Sequence, residues 1–219
     1  MPRAVVFDLD YTLAVPERDR ATILAEAAEE AGAPPLSREA YLDAHRRNLT
    51  RETREPIFAD LLDGRDTDAD PAAVAAAYRE TIADSLAPLP GVEGMLDDLR
   101  SAYRVGLLTN GPVLAQRDKL ATLGWERAFD AVLVTGELAA GKPDERAFAA
   151  VLDELSVASD EAVYVGDEVE ADVAGATNAG MDAVQVLLPD GPGPDPRAVA
   201  YVEQADIATE LPGIVADLN

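Results

Sequence analysis

Arg3-Ala4-Val5-Val6-Phe7-Asp8-Leu9-Asp10-Tyr11-Thr12 stands near the start of the chain and decides how the rest must be arranged. Residues 3–9 have the length and apolar content of a buried strand. In an extended chain residues i and i+2 point the same way, so Asp8 and Asp10 can face one pocket while Leu9 faces the core. Two carboxylates so placed can share a divalent cation, or divide the work of nucleophile and acid. An Asp-x-Asp triplet is weak by itself: a chain with 24 aspartates in 219 residues makes it by chance, and Asp66/Asp68 and Asp68/Asp70 repeat it in a polar loop. What separates the first triplet is the end of a buried strand, where ionised carboxylates are costly unless paired or bound to metal.

Nothing between about residues 15 and 87 reads as a strand. Residues 17–31 predict a helix with Ile23, Leu24, Ala27, Ala28 and Ala31 on one face, closed by Gly32. Ser37 caps a second helix carrying Tyr41, Leu42 and His45, and Ile57, Phe58, Leu61 and Leu62 mark a third that ends at Gly64. Asp70-Pro71 opens a fourth, through Val74 and Tyr78 toward Leu86. After Pro88-Leu89-Pro90-Gly91 the pattern changes. Short apolar runs at 105–108, 131–134, 162–165 and 183–187 alternate with helical stretches around 92–100, 112–123, 143–154 and 170–179, and a loop at 189–196 precedes a last strand and helix. Such alternation predicts an α/β fold, a Rossmann-like parallel sheet covered by helices on both faces. The strand at 3–9 must join that sheet, so the helical block is an insertion: residues 1–14 and 88–219 form the α/β core, and residues 15–87 an all-helical domain.

Composition narrows the chemistry. There is no cysteine, which excludes disulfides, thiolate zinc sites and cysteine nucleophiles, and the single histidine, His45, excludes any site needing two. No apolar run approaches the roughly 18 residues of a membrane span, and the segment Ala4-Val5-Val6-Phe7 is too short for a signal peptide; the expected location is the cytoplasm. The formal charge is -24, and the basic side chains are 16 arginines and two lysines, Lys119 and Lys142. A carboxylate-covered surface of this kind suits a salt-rich cell, where salt screens self-repulsion. It disfavours a nucleic acid polymer as partner, because Lys and Arg supply most of that affinity. Oligomeric state is not set by the sequence.

In open parallel sheets ligands bind beyond the carboxyl ends of the strands, and the residues there are polar. Leu107-Leu108-Thr109-Asn110-Gly111-Pro112 offers a hydroxyl and free amides at a helix start, either a welcome for phosphate or an ordinary capped turn. Gly141-Lys142-Pro143-Asp144 puts one of only two lysines at another helix start, where it can neutralise a phosphate or a carboxylate cluster. Val163-Tyr164-Val165-Gly166-Asp167-Glu168, followed by Asp172, adds a carboxylate that can complete a magnesium site of oxygen ligands.

Taken together, in this order and spacing, the four segments resemble the haloacid dehalogenase-like superfamily, in its phosphatase branch: Asp8-Leu9-Asp10-Tyr11-Thr12 matches the first motif, Thr109-Asn110-Gly111 the second, Lys142-Pro143 the third, and Gly166-Asp167 with Asp172 the fourth. The resemblance implies that Asp8 attacks phosphorus to form an aspartyl-phosphate while Asp10 serves as acid and then base. It implies phosphate contacts from Thr109, Asn110 and Lys142, Mg2+ held by Asp8, the Asp10 carbonyl and Asp167, and supporting roles for Thr12 and Asp172. The helical block then corresponds to a cap over the pocket that selects a small phosphorylated substrate. Its cationic stretch His45-Arg46-Arg47 with Arg51 and Arg54 is either a solvated face balanced by nearby glutamates or a set from which Arg47 and Arg51 reach the pocket as cap contacts to an anionic substrate. Two residues depart from the pattern: Tyr11 stands where glycine is most common, and Glu168 where serine or threonine is more usual. Thr109-Asn110-Gly111 through Lys119 also resembles the N-acetylneuraminate-9-phosphatase and pyrimidine nucleotidase members. A 2-haloacid dehalogenase on this fold lacks the second aspartate, and a receiver domain lacks a 70-residue insertion. A non-catalytic phosphate-binding or regulatory protein is the remaining alternative.

Overall fold

The computed structural model describes residues 2–218. Strand β1 (Ala4–Phe7) leads through β2 (Ala14–Pro16) into four helices, α1 (Arg20–Glu30), α2 (Arg38–Arg47), α3 (Glu55–Leu62) and α4 (Pro71–Ala83), and β3 (Leu86–Pro88) returns. The chain continues as α5 (Val92–Arg100), β4 (Arg104–Thr109), α6 (Val113–Leu123), β5 (Ala131–Val134), α7 (Glu145–Leu155) and β6 (Ala162–Gly166). A wide turn over Val169–Ala174, the short helix α8 (Gly175–Asn178), β7 (Asp182–Leu187), β8 (Ala200–Glu203) and α9 (Ile207–Asp217) complete it. Six strands pair in parallel in the order β5-β4-β1-β6-β7-β8. The fold is α/β, as the alternation predicts.

Alternation along β1 sorts the core into two layers. Val5 and Phe7 pack with Met95, Leu96 and Leu99 of α5 and Leu211 and Val215 of α9, while Ala4 and Val6 face Phe148, Val151 and Leu155 of α7 on the other side. A third apolar cluster, built round Tyr41, Phe58 and Tyr78, draws all its fully buried members from residues 23–82. Neither sheet cluster takes a member from that stretch.

Two local features differ from the sequence reading. The stretch 15–87 is not free of strands: Val15 pairs with Ala87 in an antiparallel ribbon, β2 with β3, where the chain leaves and re-enters the sheet domain. Three-residue strands are too short to show periodicity, and only their pairing defines them. The stretch 170–179 is not one regular helix. Val173 N donates to Glu168 O at 3.2 Å, an i to i+5 bond, and Asp172 reaches back so that Glu168 N donates to its Oδ2 at 3.0 Å. Such π-turns recur at functional sites because they re-aim a side chain.

Candidate active site

β1 lies between β4 and β6, so the residues that follow these three strands share one rim of the sheet. Asp8 comes after β1, Thr109 closes β4, and Asp167 follows β6. They open on a cavity of about 550 Å3 whose opposite wall comes from the inserted helices. Arg38, Leu42, His45 and Arg46 of α2 line that wall at i, i+4, i+7 and i+8, one face of a helix.

Lys142 ties the core side together. Its Nζ donates to Asp8 Oδ1, Asp172 Oδ1 and the Tyr164 hydroxyl, each at 2.7 Å, and the Tyr164 hydroxyl donates in turn to Leu108 O at 2.9 Å. Burial works against the ammonium charge, yet Asp172 and Asp8 together raise its proton affinity well above the ordinary value. Asn110 holds the lysine's backbone: Lys142 N donates to Asn110 Oδ1 at 2.9 Å and Asn110 Nδ2 to Lys142 O at 3.0 Å. That amide positions Lys142 and keeps a second Nδ2 hydrogen, and Asn110 lines the cavity where the sequence places a phosphate contact.

Asp167 accepts from the Thr12 hydroxyl at 3.2 Å. Carboxylate oxygens of Asp8, Asp167 and Asp172, all buried, lie within 4.8 Å of one another. Three carboxylates against one ammonium leave two negative charges unmatched. Burial, then the neighbouring carboxylates, pushes Asp167 up to about 9; Asp8 is pushed up to about 6 by burial although Lys142 opposes it. An all-oxygen, doubly negative, buried donor set fits a hard divalent cation such as Mg2+. The Asp10 side chain is not part of that set.

Asp10 faces instead a cationic pole that the sequence reading does not assign. Lys119 Nζ donates to its Oδ1 at 2.7 Å and Oδ2 at 2.5 Å, Arg20 Nη2 to Oδ1 at 3.1 Å, and Gln116 Nε2 to Oδ2 at 3.1 Å. Burial opposes ionisation, but Lys119 and Arg20 outweigh it and hold this carboxyl well below the usual range. Gln116 Nε2 also donates to Thr109 Oγ1 at 2.6 Å, which joins the pole to the strand end. Scarcity of lysine pointed to Lys119, and the resemblance over residues 109–119 takes in both Lys119 and Gln116 without giving either a role. Arg20 carried no signal, and Tyr164 sat inside an apolar run.

The cap arginines expected from sequence need correcting. Arg47 pairs with Asp60 at 3.1 Å on the exposed face of the insertion, and Arg51 Nε donates to Asn48 Oδ1 at 3.3 Å. Neither lines the cavity; Arg20, Arg38 and Arg46 do. Arg51 serves through its backbone, its carbonyl accepting from Val113 N at 3.0 Å, which docks the insertion on the start of α6.

The family model of the haloacid dehalogenase-like hydrolases matches residues 5–186. The glyceraldehyde 3-phosphate phosphatase of Methanopyrus kandleri is 33% identical over 200 residues, covering 85% of this chain and 84% of that protein. The N-acylneuraminate-9-phosphatase of Rattus norvegicus is 33% identical over 128 residues, 58% of this chain and 52% of its own length. Among solved structures, the putative HAD-hydrolase YfnB of Bacillus subtilis bound to magnesium shares the fold, with a TM-score of 0.75 and 21% identity over 98% of this chain and 99% of that one.

Proposed function

The chain belongs to the haloacid dehalogenase-like hydrolases, as one of their phosphatases, and we propose that it is a Mg2+-dependent phosphomonoester hydrolase acting on a small phosphorylated metabolite through an aspartyl-phosphate at Asp8. The observation that carries the reading is the placement of Asp8, 2.7 Å from Lys142 and within 4.8 Å of the Asp167 and Asp172 carboxylates.

Asp8 attacks phosphorus through a carboxylate oxygen, the bond to the leaving oxygen breaks, and that oxygen takes a proton from Asp10. In the second half Asp10 accepts a proton from water, the water oxygen bonds to phosphorus, and the acyl-phosphate bond breaks to restore Asp8 and release phosphate. Asp10 carries a proton only after it parts from Lys119 and Arg20, so its pairing here is that of the resting enzyme. Thr109 holds a phosphate oxygen, and Lys142 keeps Asp8 ionised at neutral pH. Mg2+ would be held by Asp8, Asp167 and the backbone of Asp10, with Asp172 and Thr12 behind them, and supplies charge neutralisation to the phosphoryl oxygens. The inserted helices serve as the cap over the cavity. The acidic surface suits a salt-rich cytoplasm and a small-molecule partner, with no nucleic acid polymer and no membrane. Among the described residues no helix is long and apolar enough to cross a membrane.

The test is release of phosphate from para-nitrophenyl phosphate. We expect turnover with Mg2+, loss of it with EDTA, and a fall of more than about 10^3-fold in Asp8→Asn. No turnover by the wild type, with phosphate bound equally well by wild type and Asp8→Asn, would favour a non-catalytic phosphate-binding protein.

A further inference from the structure

Asp10 is one carboxylate facing more positive charge than it balances. Arg20 and Lys119 both bond to it. Arg54, only 5% exposed, stands with its guanidinium 5.2 Å from the centre of the Tyr78 ring, which packs on Tyr41 and through it on His45 of the cavity wall, and its Nε and Nη1 have no hydrogen-bond partner among the described residues. Three cations against one carboxylate leave two buried positive charges unmatched, which is costly unless something pairs with them. Offsetting the acidic surface does not require this: an arginine in water acts over the same screening length without losing its hydration.

The surroundings are equally unsatisfied. Among the described residues His45 Nδ1 and Gln116 Oε1 are buried without partners. Tyr11 adds a second kind of observation. Its φ of 63° lies in the left-handed region, unusual for a bulky side chain, and its ring sits 5.0 Å below the Arg20 guanidinium while its hydroxyl accepts from Arg20 Nε at 3.2 Å. A residue under backbone strain thus aims Arg20 at the cavity, whose lining includes Arg20, His45 and Asp10 on one side and Asp8 and Lys142 on the other.

We propose that the preferred substrate carries a second anionic group, a carboxylate or a further phosphate on the same small molecule, which binds between Arg20, Lys119 and Arg54 and replaces Asp10 as their counter-ion. The inference rests on the phosphatase reading and names the substrate class of that site.

Two matched pairs test this by calorimetric titration of Asp8→Asn in the presence of Mg2+. 3-Phosphoglycerate against glycerol 3-phosphate compares a carboxylate with a hydroxymethyl group, and fructose 1,6-bisphosphate against fructose 6-phosphate adds a phosphate. The doubly anionic member of at least one pair should bind fivefold or more tightly than its partner, and the pair that shows the preference distinguishes carboxylate from phosphate. Adding Arg20→Gln, or separately Arg54→Gln, should cut that ratio by more than threefold. A ratio below fivefold in both pairs, or one that neither substitution lowers by threefold, overturns the inference; Arg20, at the cavity wall, gives the answer should the buried Arg54 variant fail to fold. Hydrolysis of para-nitrophenyl phosphate by the wild type is read separately, so that failure of the phosphatase reading and failure of this one give different results.

Discussion

A methyl group at Gly166 would meet Asp172, 2.5 Å from its Cγ and 2.7 Å from its Cβ. The absence of a side chain at the end of β6 is what lets Asp172 fold back under the strand to reach Lys142. Gly166→Ala must therefore push Asp172 away, and overpacking of this kind costs about 1–3 kcal/mol. The thermal midpoint should fall by about 2–4 °C for each kcal/mol, and kcat/KM by about 10^2-fold as Lys142 and Asp8 shift. An unchanged melting point and unchanged activity would mean that Asp172 does not lie there. The neighbouring carboxylates give a test by pH. Asp167 and Asp8 have folded-state values of about 9 and about 6, both raised above the ordinary aspartate value. Without metal the folded protein then holds protons that the unfolded chain has released, so these groups lower stability as pH rises from about 4 to about 9, by up to roughly 1.4 kcal/mol per pH unit per proton. Divalent cations compete with those protons. Added MgCl2 should raise the melting point more at pH 8.5 than at pH 5.5 in scanning calorimetry, and an equal rise at both would remove Asp167 from the metal set.

Elements explain why some of this could be read from the chain and some could not. Asp8, Thr109 and Asp167 were legible because each ends an apolar run, and in a parallel sheet the ends of such runs converge whatever the details of packing. The cationic pole was not, since Arg20 is merely the last of Glu17-Arg18-Asp19-Arg20 until α1 folds across the cavity. Arg47 misled for a related reason. Consecutive residues on a helix diverge by about 100°, so Arg46 lines the cavity while Arg47 faces Asp60 outside it. The run of four helices between β2 and β3 was legible from the loss and return of strand pattern, but the ribbon at the crossing was not. That ribbon makes a prediction at this scale. Pro16 stands opposite Leu86, and the fully buried members of the cluster built round Phe58 all lie between residues 23 and 82. Replacing residues 17–85 by a short glycine-rich turn should leave a folded sheet domain that melts cooperatively and still responds to Mg2+. Cutting Phe58 back to alanine in the intact chain should cost about 3–5 kcal/mol. Collapse of the shortened chain into an unfolded state would show that the insertion is part of one cooperative unit.

At the scale of the whole molecule the charge of -24 is spread over 42 acidic and 18 basic side chains, and most ion pairs outside the site are exposed. Arg47 with Asp60 and Arg146 with Asp144 join partners that stay largely in water, where such pairs contribute little and are screened by salt. Screening therefore removes little attraction from the surface and much repulsion, because the Debye length falls from about 10 Å at 0.1 M to about 3 Å at 1 M. The pairs that hold the site, Lys142 with Asp8 and Asp172 and Lys119 with Asp10, involve buried lysines and are shielded from that effect. Raising KCl from 0.1 to 2 M should then increase the melting point by about 5 °C or more, roughly 2 kcal/mol, with most of the gain in the first molar, where screening changes fastest. A neutral osmolyte at matched osmolality separates this from exclusion of solute from the surface, which stabilises without regard to charge. If the osmolyte reproduces the whole gain, or if the melting point is flat or falls with KCl, self-repulsion does not limit stability and the acidic composition has another cause.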